Sequence, residues 1–293
     1  MRLCVRNIFT FAIIITMVVM LTGCPDTDNP VNQSGLKGYI YYSNGGSVYR
    51  IRLNDEKDEE LFSNADMPDV AADGRIVAVE AYPNTRIIVT DLTGANRVSI
   101  IESEGYKGPV HKKYFDKPRI SYNQQYIAYE GDAVLNPITY IIDANDGELL
   151  LTIGDYDDSF PCVAPSWAPD GSIYVAGWTS MNNGIYRVSA DFTTMERIDP
   201  DLNNVYSPSV SPDGTKVAFI CNGKLWTMNS DGSNATQINT TINNFAMPTW
   251  SPDSKNVAVT SYGTIYIIDL VALTVTEIDN AYASSGNQLC WRY

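Results

Sequence analysis

One histidine, five cysteines and two clusters of side-chain oxygens are the residues of this 293-residue chain whose types could do chemistry. His111 lies in the stretch 107–117, flanked by Lys112 and Lys113. An imidazole can act as a general base, but a serine hydrolase also needs a nucleophile on a strained elbow and an acid beside it. No Gly-x-Ser-x-Gly occurs, so His111 reads as a solvated loop residue. Asp143, Asn145, Asp146, Gly147 and Glu148 carry oxygens at a spacing that could suit calcium, as do Asp155, Asp157 and Asp158. Neither cluster follows the twelve-residue order of an EF-hand with its terminal Glu, and Asp, Asn and Gly at such places bond their own turns. No metal and no cofactor is expected. Cys162, Cys221 and Cys290 stand far apart with no Cys-x-x-Cys pair. They read as buried free thiols, with a disulfide between two of them as the alternative.

The elements that would hold these residues come from a repeated phrase. Pro208 to Gly214 read Pro-Ser-Val-Ser-Pro-Asp-Gly and lead into the apolar run Lys216 to Ile220; Pro248 to Asp253 do the same before Asn256 to Thr260. Looser copies are Pro165 to Gly171, Pro68 to Gly74 and Pro118 to Gln124, with Asn123 in the place of Asp. Each Pro precedes its Asp or Asn by five positions, and Leu289 to Tyr293 set Trp291 where Trp250 and Trp167 stand. The aligned positions Val70, Ile120, Trp167, Val210, Trp250 and Trp291 are 50, 47, 43, 40 and 41 residues apart. That period, with four strands per unit, is that of propeller blades.

Within a unit the runs follow a fixed order. In the fifth they are Ser209 to Ser211, Lys216 to Ile220, Lys224 to Asn229 and Ala235 to Asn239, with Asp231-Gly232 as a hairpin turn signal. Rich in Val, Ile and Tyr without clean alternation, they suit a sheet covered on both faces. The fold class is therefore all-β: a six-bladed β-propeller of four-stranded antiparallel blades. Tyr39 to Tyr42, Ser47 to Arg52 and Glu60 to Ser63 supply three strands of the first blade, and Gln288 to Tyr293 supply its missing innermost one. The ends of the chain thus interlock and leave no exposed edge.

The two faces of such a disc differ in composition. The connections into each first strand and the loops between second and third strands carry Tyr82, Phe115, Phe160, Trp178, Tyr206, Phe245, Tyr262 and Tyr282. The Pro-Asp turns and last hairpins carry Asp55, Glu56, Asp58, Glu59, Asp91, Asp143, Asp146, Asp191, Asp231 and Asp269. Aromatics around a concave mouth suit binding, because they bury large areas at low entropic cost; the alternative is that they fold inward and plug the tops of the cores between blades. On the binding reading, replacing Trp178 and Phe245 by Ala abolishes capture of a partner and leaves unfolding unchanged.

Arg2 and Arg6 precede the uncharged stretch Ile8 to Leu21, and Leu21-Thr22-Gly23-Cys24 follow. A short apolar run behind a basic start reads as a secretory signal. Residues 24–36 are polar and read as a tether, and 37–293 hold the propeller. The formal charge of −14 becomes −16 once Arg2 and Arg6 are removed, leaving 18 basic against 34 acidic residues. Such a balance argues against nucleic acid as a partner; it suits either cationic partners or plain solubility.

Two resemblances add to this reading. Leu21 to Cys24 resemble the bacterial lipoprotein box, which implies cleavage before Cys24, lipidation of its thiol and an extracytoplasmic, membrane-anchored protein. Ser211-Pro212-Asp213-Gly214 and Ala168-Pro169-Asp170-Gly171, with Leu225 to Ser233 downstream, resemble the TolB-type propeller repeat over residues 37–293. That resemblance implies the fold. Propellers of this type serve as protein-binding modules in the envelope, as the front domain of prolyl-oligopeptidase-like enzymes and as the body of oligogalacturonate lyases. The lyases place several histidines around a metal, which one histidine cannot supply. No counterpart of the separate N-terminal domain of TolB is read here, so that protein's partners are not carried over. The expectation is a monomeric, lipid-anchored, non-catalytic module that binds an envelope protein or peptide. A carbohydrate or small-ligand receptor using the aromatic mouth is the first alternative, and a hydrolase or lyase with an unrecognised site the second. The tether enters beside the Pro-Asp turns, so the aromatic mouth is expected to face away from the membrane.

Overall fold

The computed structural model describes residues 35–81, 85–103, 115–132, 136–154, 160–178, 183–199, 202–284 and 286–293. The signal segment, Cys24, most of the tether, Tyr82, His111 and the cluster Asp155, Asp157 and Asp158 lie outside the described residues. Among the described residues, twenty-four strands form six antiparallel sheets of four, the six blades of a β-propeller. The innermost strands are Asp66–Val70, Phe115–Ile120, Cys162–Trp167, Val205–Val210, Phe245–Trp250 and Cys290–Arg292. Each touches the next right round the ring. Closure is made where the sequence places it, with Tyr39 paired to Arg292, Ile40 to Trp291 and Tyr41 to Cys290.

Middle strands are apolar on both faces because both faces meet another blade; Ile76–Glu80 is buried at every position. Ile220 and Leu225 pack against Phe245, Trp250 and Val257 of the following blade. Ile265 and Ile278 meet Ile40, Ile51 and Trp291 across the closure. Three buried tryptophans also carry a polar tie: the indole N–H groups of Trp167, Trp250 and Trp291 donate to Arg119 O, Ser209 O and Lys37 O at 3.0, 2.8 and 3.0 Å. An indole costs little to bury when its one donor is satisfied.

The Pro-Asp phrase is a turn held by its own side chains. Asp213 Oδ1 accepts from Ser211 Oγ at 2.6 Å, Thr215 N at 3.0 Å and Thr215 Oγ1 at 2.8 Å, while Lys216 N donates back to Ser211 Oγ at 2.9 Å. Ser251 with Asp253, and Ser121 with Asn123, repeat the pattern. This is why Asn123 can replace Asp: only the acceptor oxygen is needed.

The innermost strands that contain a Pro start earlier than the sequence indicates, whereas the closing strand, read as Gln288 to Tyr293, is shorter and spans Cys290–Arg292. In the fifth blade the strand is Val205–Val210, not Ser209 to Ser211. Proline cannot donate to a ladder and is tolerated inside a sheet mainly at bulges. Here the residue before each Pro has positive φ: Met67 +54°, Lys117 +46°, Ala164 +53°, Ser207 +51° and Met247 +48°. The strand register shifts at the same places. Each of these five strands therefore passes through its Pro as a bulge and continues two or three residues upstream, which moves Phe115, Tyr206 and Phe245 from a connecting loop into sheet.

Candidate functional site

The loop face, where second strands turn into third strands, carries the residues singled out from sequence, and they do not share one environment. Tyr262 and Tyr282 stand 75 % and 56 % exposed. Phe115 and Phe245, at 5 % and 1 %, are core side chains. Phe115 meets the Tyr129 ring edge-on at 5.4 Å, and Phe245 packs with Trp250 and Val257. Their burial corrects the expectation of an exposed aromatic ring at these positions; its cause is the upstream extension of the innermost strands. Phe160 is half-buried and set edge-on against Tyr186 at 4.9 Å. Tyr206 packs on the core shared by the fifth and sixth blades. Trp178 is half-buried at the end of its strand, and Tyr82 lies outside the described residues.

The two exposed tyrosines form one unit. The turn between Asn256–Ser261 and Thr264–Asp269 has Tyr262 at φ +51° and Gly263 at φ +91°, the mirror-image turn that joins twisted strands. Equivalent turns in the first and fifth blades use Gly45-Gly46 and Asn222-Gly223, residue types that accept positive φ readily. A tyrosine there is an outlier. Tyr282 Oη donates to Tyr262 O at 2.6 Å, and the Tyr282 ring lies over Gly263 so closely that a Cβ at that position would come within 2.2 Å of it. Asn244 Nδ2 donates to Tyr262 Oη.

A band of amides continues from this pair toward the fourth blade. Asn204 N donates to Asn183 Oδ1 at 2.6 Å, and Asn204 Nδ2 to Asn222 Oδ1 at 3.0 Å. These Asn residues are not singled out in the sequence; only the packing of neighbouring blades sets them side by side.

The turn face is acidic as expected, but its carboxylates are engaged. Asp91 accepts from Thr93 N at 2.8 Å and Asn96 Nδ2 at 2.7 Å, and Asp231 from Ser233 N at 2.9 Å. In the calcium candidate, Asp143 accepts from Asn145 N at 2.7 Å and Asp146 from Glu148 N at 2.9 Å. Among the described residues no group of three or more His, Cys, Asp or Glu is placed to hold a metal ion. Cys162, Cys221 and Cys290 are buried, and none of the three is joined to another by a disulfide. Burial pushes the Cys290 thiol up to about 12 and raises that of Cys221, so neither is a nucleophile near neutral pH. A partly buried ion pair forms at Lys117, whose Nζ bonds Glu130 at 2.8 and 2.9 Å with Asp116 at 3.4 Å. Burial pulls the Lys117 ammonium down, but the two carboxylates more than offset it.

No family model and no curated protein matches the sequence. Solved structures do: TolB from Acinetobacter baumannii superposes with a TM-score of 0.68 at 16 % identity, over 90 % of this chain and 68 % of that one. The fold is that of a TolB-like propeller. A nidogen/laminin complex is also similar to this chain, with TM-score 0.64, 13 % identity and coverage of 87 % and 98 %. An oligogalacturonate lyase from Vibrio parahaemolyticus gives 0.55, 12 %, 80 % and 76 %. These neighbours include a two-protein complex and a lyase at identities that carry architecture alone, so this propeller's own surface must supply the functional argument.

Proposed function

We propose that this propeller is a monomeric, lipid-anchored, extracytoplasmic module that binds a protein or peptide on its loop face and performs no chemistry. The observation that carries the reading is Tyr262: a large ring held at positive φ, where sister blades use Asn or Gly, and left largely exposed. Strain of that kind is retained where the side chain is needed in place. Tyr282 braces it, and the pair forms a rigid amphipathic platform of the type that anchors interfaces. Orientation supports the same reading. Gly35, Leu36 and Lys37 lie against Ser251, Pro252 and Asp253 of a Pro-Asp turn, so a tether leaving there holds the turn face toward the lipid and the loop face away.

The amide band of Asn183, Asn204, Asn222 and Asn244 favours a second reading, recognition of a carbohydrate by stacking on the tyrosines and hydrogen bonding to the amides. Pull-down from envelope membranes and a glycan array separate the two. The paired substitution Tyr262→Ala with Tyr282→Ala is expected to abolish capture while changing unfolding stability by no more than about 1 kcal/mol, as for exposed positions. Capture that survives both substitutions overturns the loop-face reading.

A further inference from the structure

The central channel opens on the turn face through one ring of equivalent positions, one from each innermost strand: Asp69, Arg119, Ser166, Ser209, Thr249 and Cys290. Three of these side chains are tied to the following blade. Ile120 N donates to Asp69 Oδ2 at 2.9 Å, Val210 N to Ser166 Oγ at 3.0 Å and Val70 N to Cys290 Sγ at 3.4 Å. Arg119 plays no such part. Its Nη1 reaches across to Leu289 O at 3.2 Å and stands 3.5 Å from Asp69 Oδ1. Arg292, from the closing strand, donates through Nε to Val70 O at 2.6 Å and through Nη1 to Trp291 O at 3.0 Å, and its Nη2 stands 3.6 Å from the same Asp69 oxygen.

Two guanidiniums therefore share one carboxylate, at distances longer than a charge-assisted hydrogen bond. Arg119 Nε and Nη2, with Arg292 Nη2, make no hydrogen bond to the described residues. In front of them lies a cleft of about 50 Å³, lined also by Ser166, Ser209, Thr249 and Tyr122. The three charged groups sum to one positive charge, in a chain whose formal charge is −14. A cationic cleft here is thus a local construction and not a sample of a basic surface.

We propose that this cleft binds one carboxylate group, that of a small organic acid or of a peptide terminus presented to the turn face. The balance of charge calls for a single negative charge. Planar guanidinium forks match a carboxylate's two oxygens, and the hydroxyls around them complete its hydrogen bonding. The site is independent of the tyrosine platform: it lies at the opposite end of the channel and uses different residues.

Two of the five tryptophans, Trp167 and Trp250, line the cleft, which gives a site-resolved readout from their indole N–H resonances in the full-length chain. Titration with acetate at constant ionic strength is expected to move these two resonances and leave those of Trp178 and Trp226 in place. Arg119→Gln should weaken acetate binding by about tenfold or more, the value of a hydrogen-bonded charge. Asp69→Asn, which keeps an acceptor for Ile120 N, should tighten it. Ser209→Asp offers a test that leaves both arginines untouched: an internal carboxylate should occupy the cleft and abolish the response. Acetyl-Gly-Gly moving the resonances more tightly than acetate assigns a peptide terminus, and acetate acting alone assigns a small acid. Resonances of Trp167 and Trp250 that stay still, that respond equally in the Ser209→Asp chain, or that respond equally to acetyl-Gly-Gly amide overturn the proposal.

Discussion

At the residue scale, a structural rule separates Phe115 and Phe245, upstream of a bulged Pro and buried, from Tyr262, exposed at the tip of a second-to-third strand turn. Phe245 and Tyr262 belong to the same blade and fall on opposite sides of that rule. Phe245→Ala removes a ring that is 1 % exposed and is expected to cost about 3–5 kcal/mol, measured by denaturant unfolding. Unfolding unchanged by Phe245→Ala would place that ring outside the core. The turn-face carboxylates are set by the donors that engage them. The Thr93 hydroxyl, the Thr93 N–H and Asn96 hold the Asp91 carboxyl at about 2, below its ordinary 3.8. The Ser233 hydroxyl lowers Asp231 in the same way, and the Ser189 hydroxyl lowers Asp191. A carboxyl depressed in the folded state stabilises it above the unfolded value and loses that contribution as pH falls through the folded one. The contribution of these three carboxyls should therefore be fully present above about pH 5 and be lost toward pH 2, and Asp91→Asn should make the acid decline shallower. An identical decline in that variant would remove Asp91 from the account.

At the element scale, the unit that matters is the Pro-Asp turn with its serine. Asp213→Ala leaves Ser211 Oγ and two Thr215 donors without their acceptor and should destabilise the fifth blade by about 1–2 kcal/mol. Asp213→Asn should recover most of that loss in the same unfolding measurement, whereas equal losses for Ala and Asn would make the charge and not the acceptor responsible. Turns of this kind are local, and for that reason the phrase could be read straight from the chain. Lys224–Asn229 and Ser47–Arg52 match the sequence reading to the residue, because the hairpins bounding them are signalled by nearby side chains. The upstream halves of the innermost strands were not legible. Their residues Met67, Lys117, Ala164, Ser207 and Met247 carry no local mark of positive φ, and a Pro after them argues against sheet. Part of the loop-face site was legible too: Tyr262 and Tyr282 could be placed by register alone. The amide band was not, since Asn183, Asn204 and Asn222 meet only after adjacent blades pack.

At the scale of the whole molecule, closure of the ring holds the blades together. Each blade buries its faces against two neighbours, so a blade beside an open seam would expose the cluster that Ile40, Ile51, Ile265 and Trp291 now fill. Covering both faces of every sheet also fixes the opposed ends of the disc: turns and the chain's approach on one, tyrosines and amides on the other. Function on either end depends on the ring staying shut. The most direct measurement is equilibrium unfolding of the chain with residues 288–293 removed, followed by tryptophan fluorescence and by circular dichroism. The account predicts loss of the single cooperative transition, with the first and sixth blades melting well before the rest. A truncated chain that unfolds in one step at the same midpoint as the intact protein would contradict it.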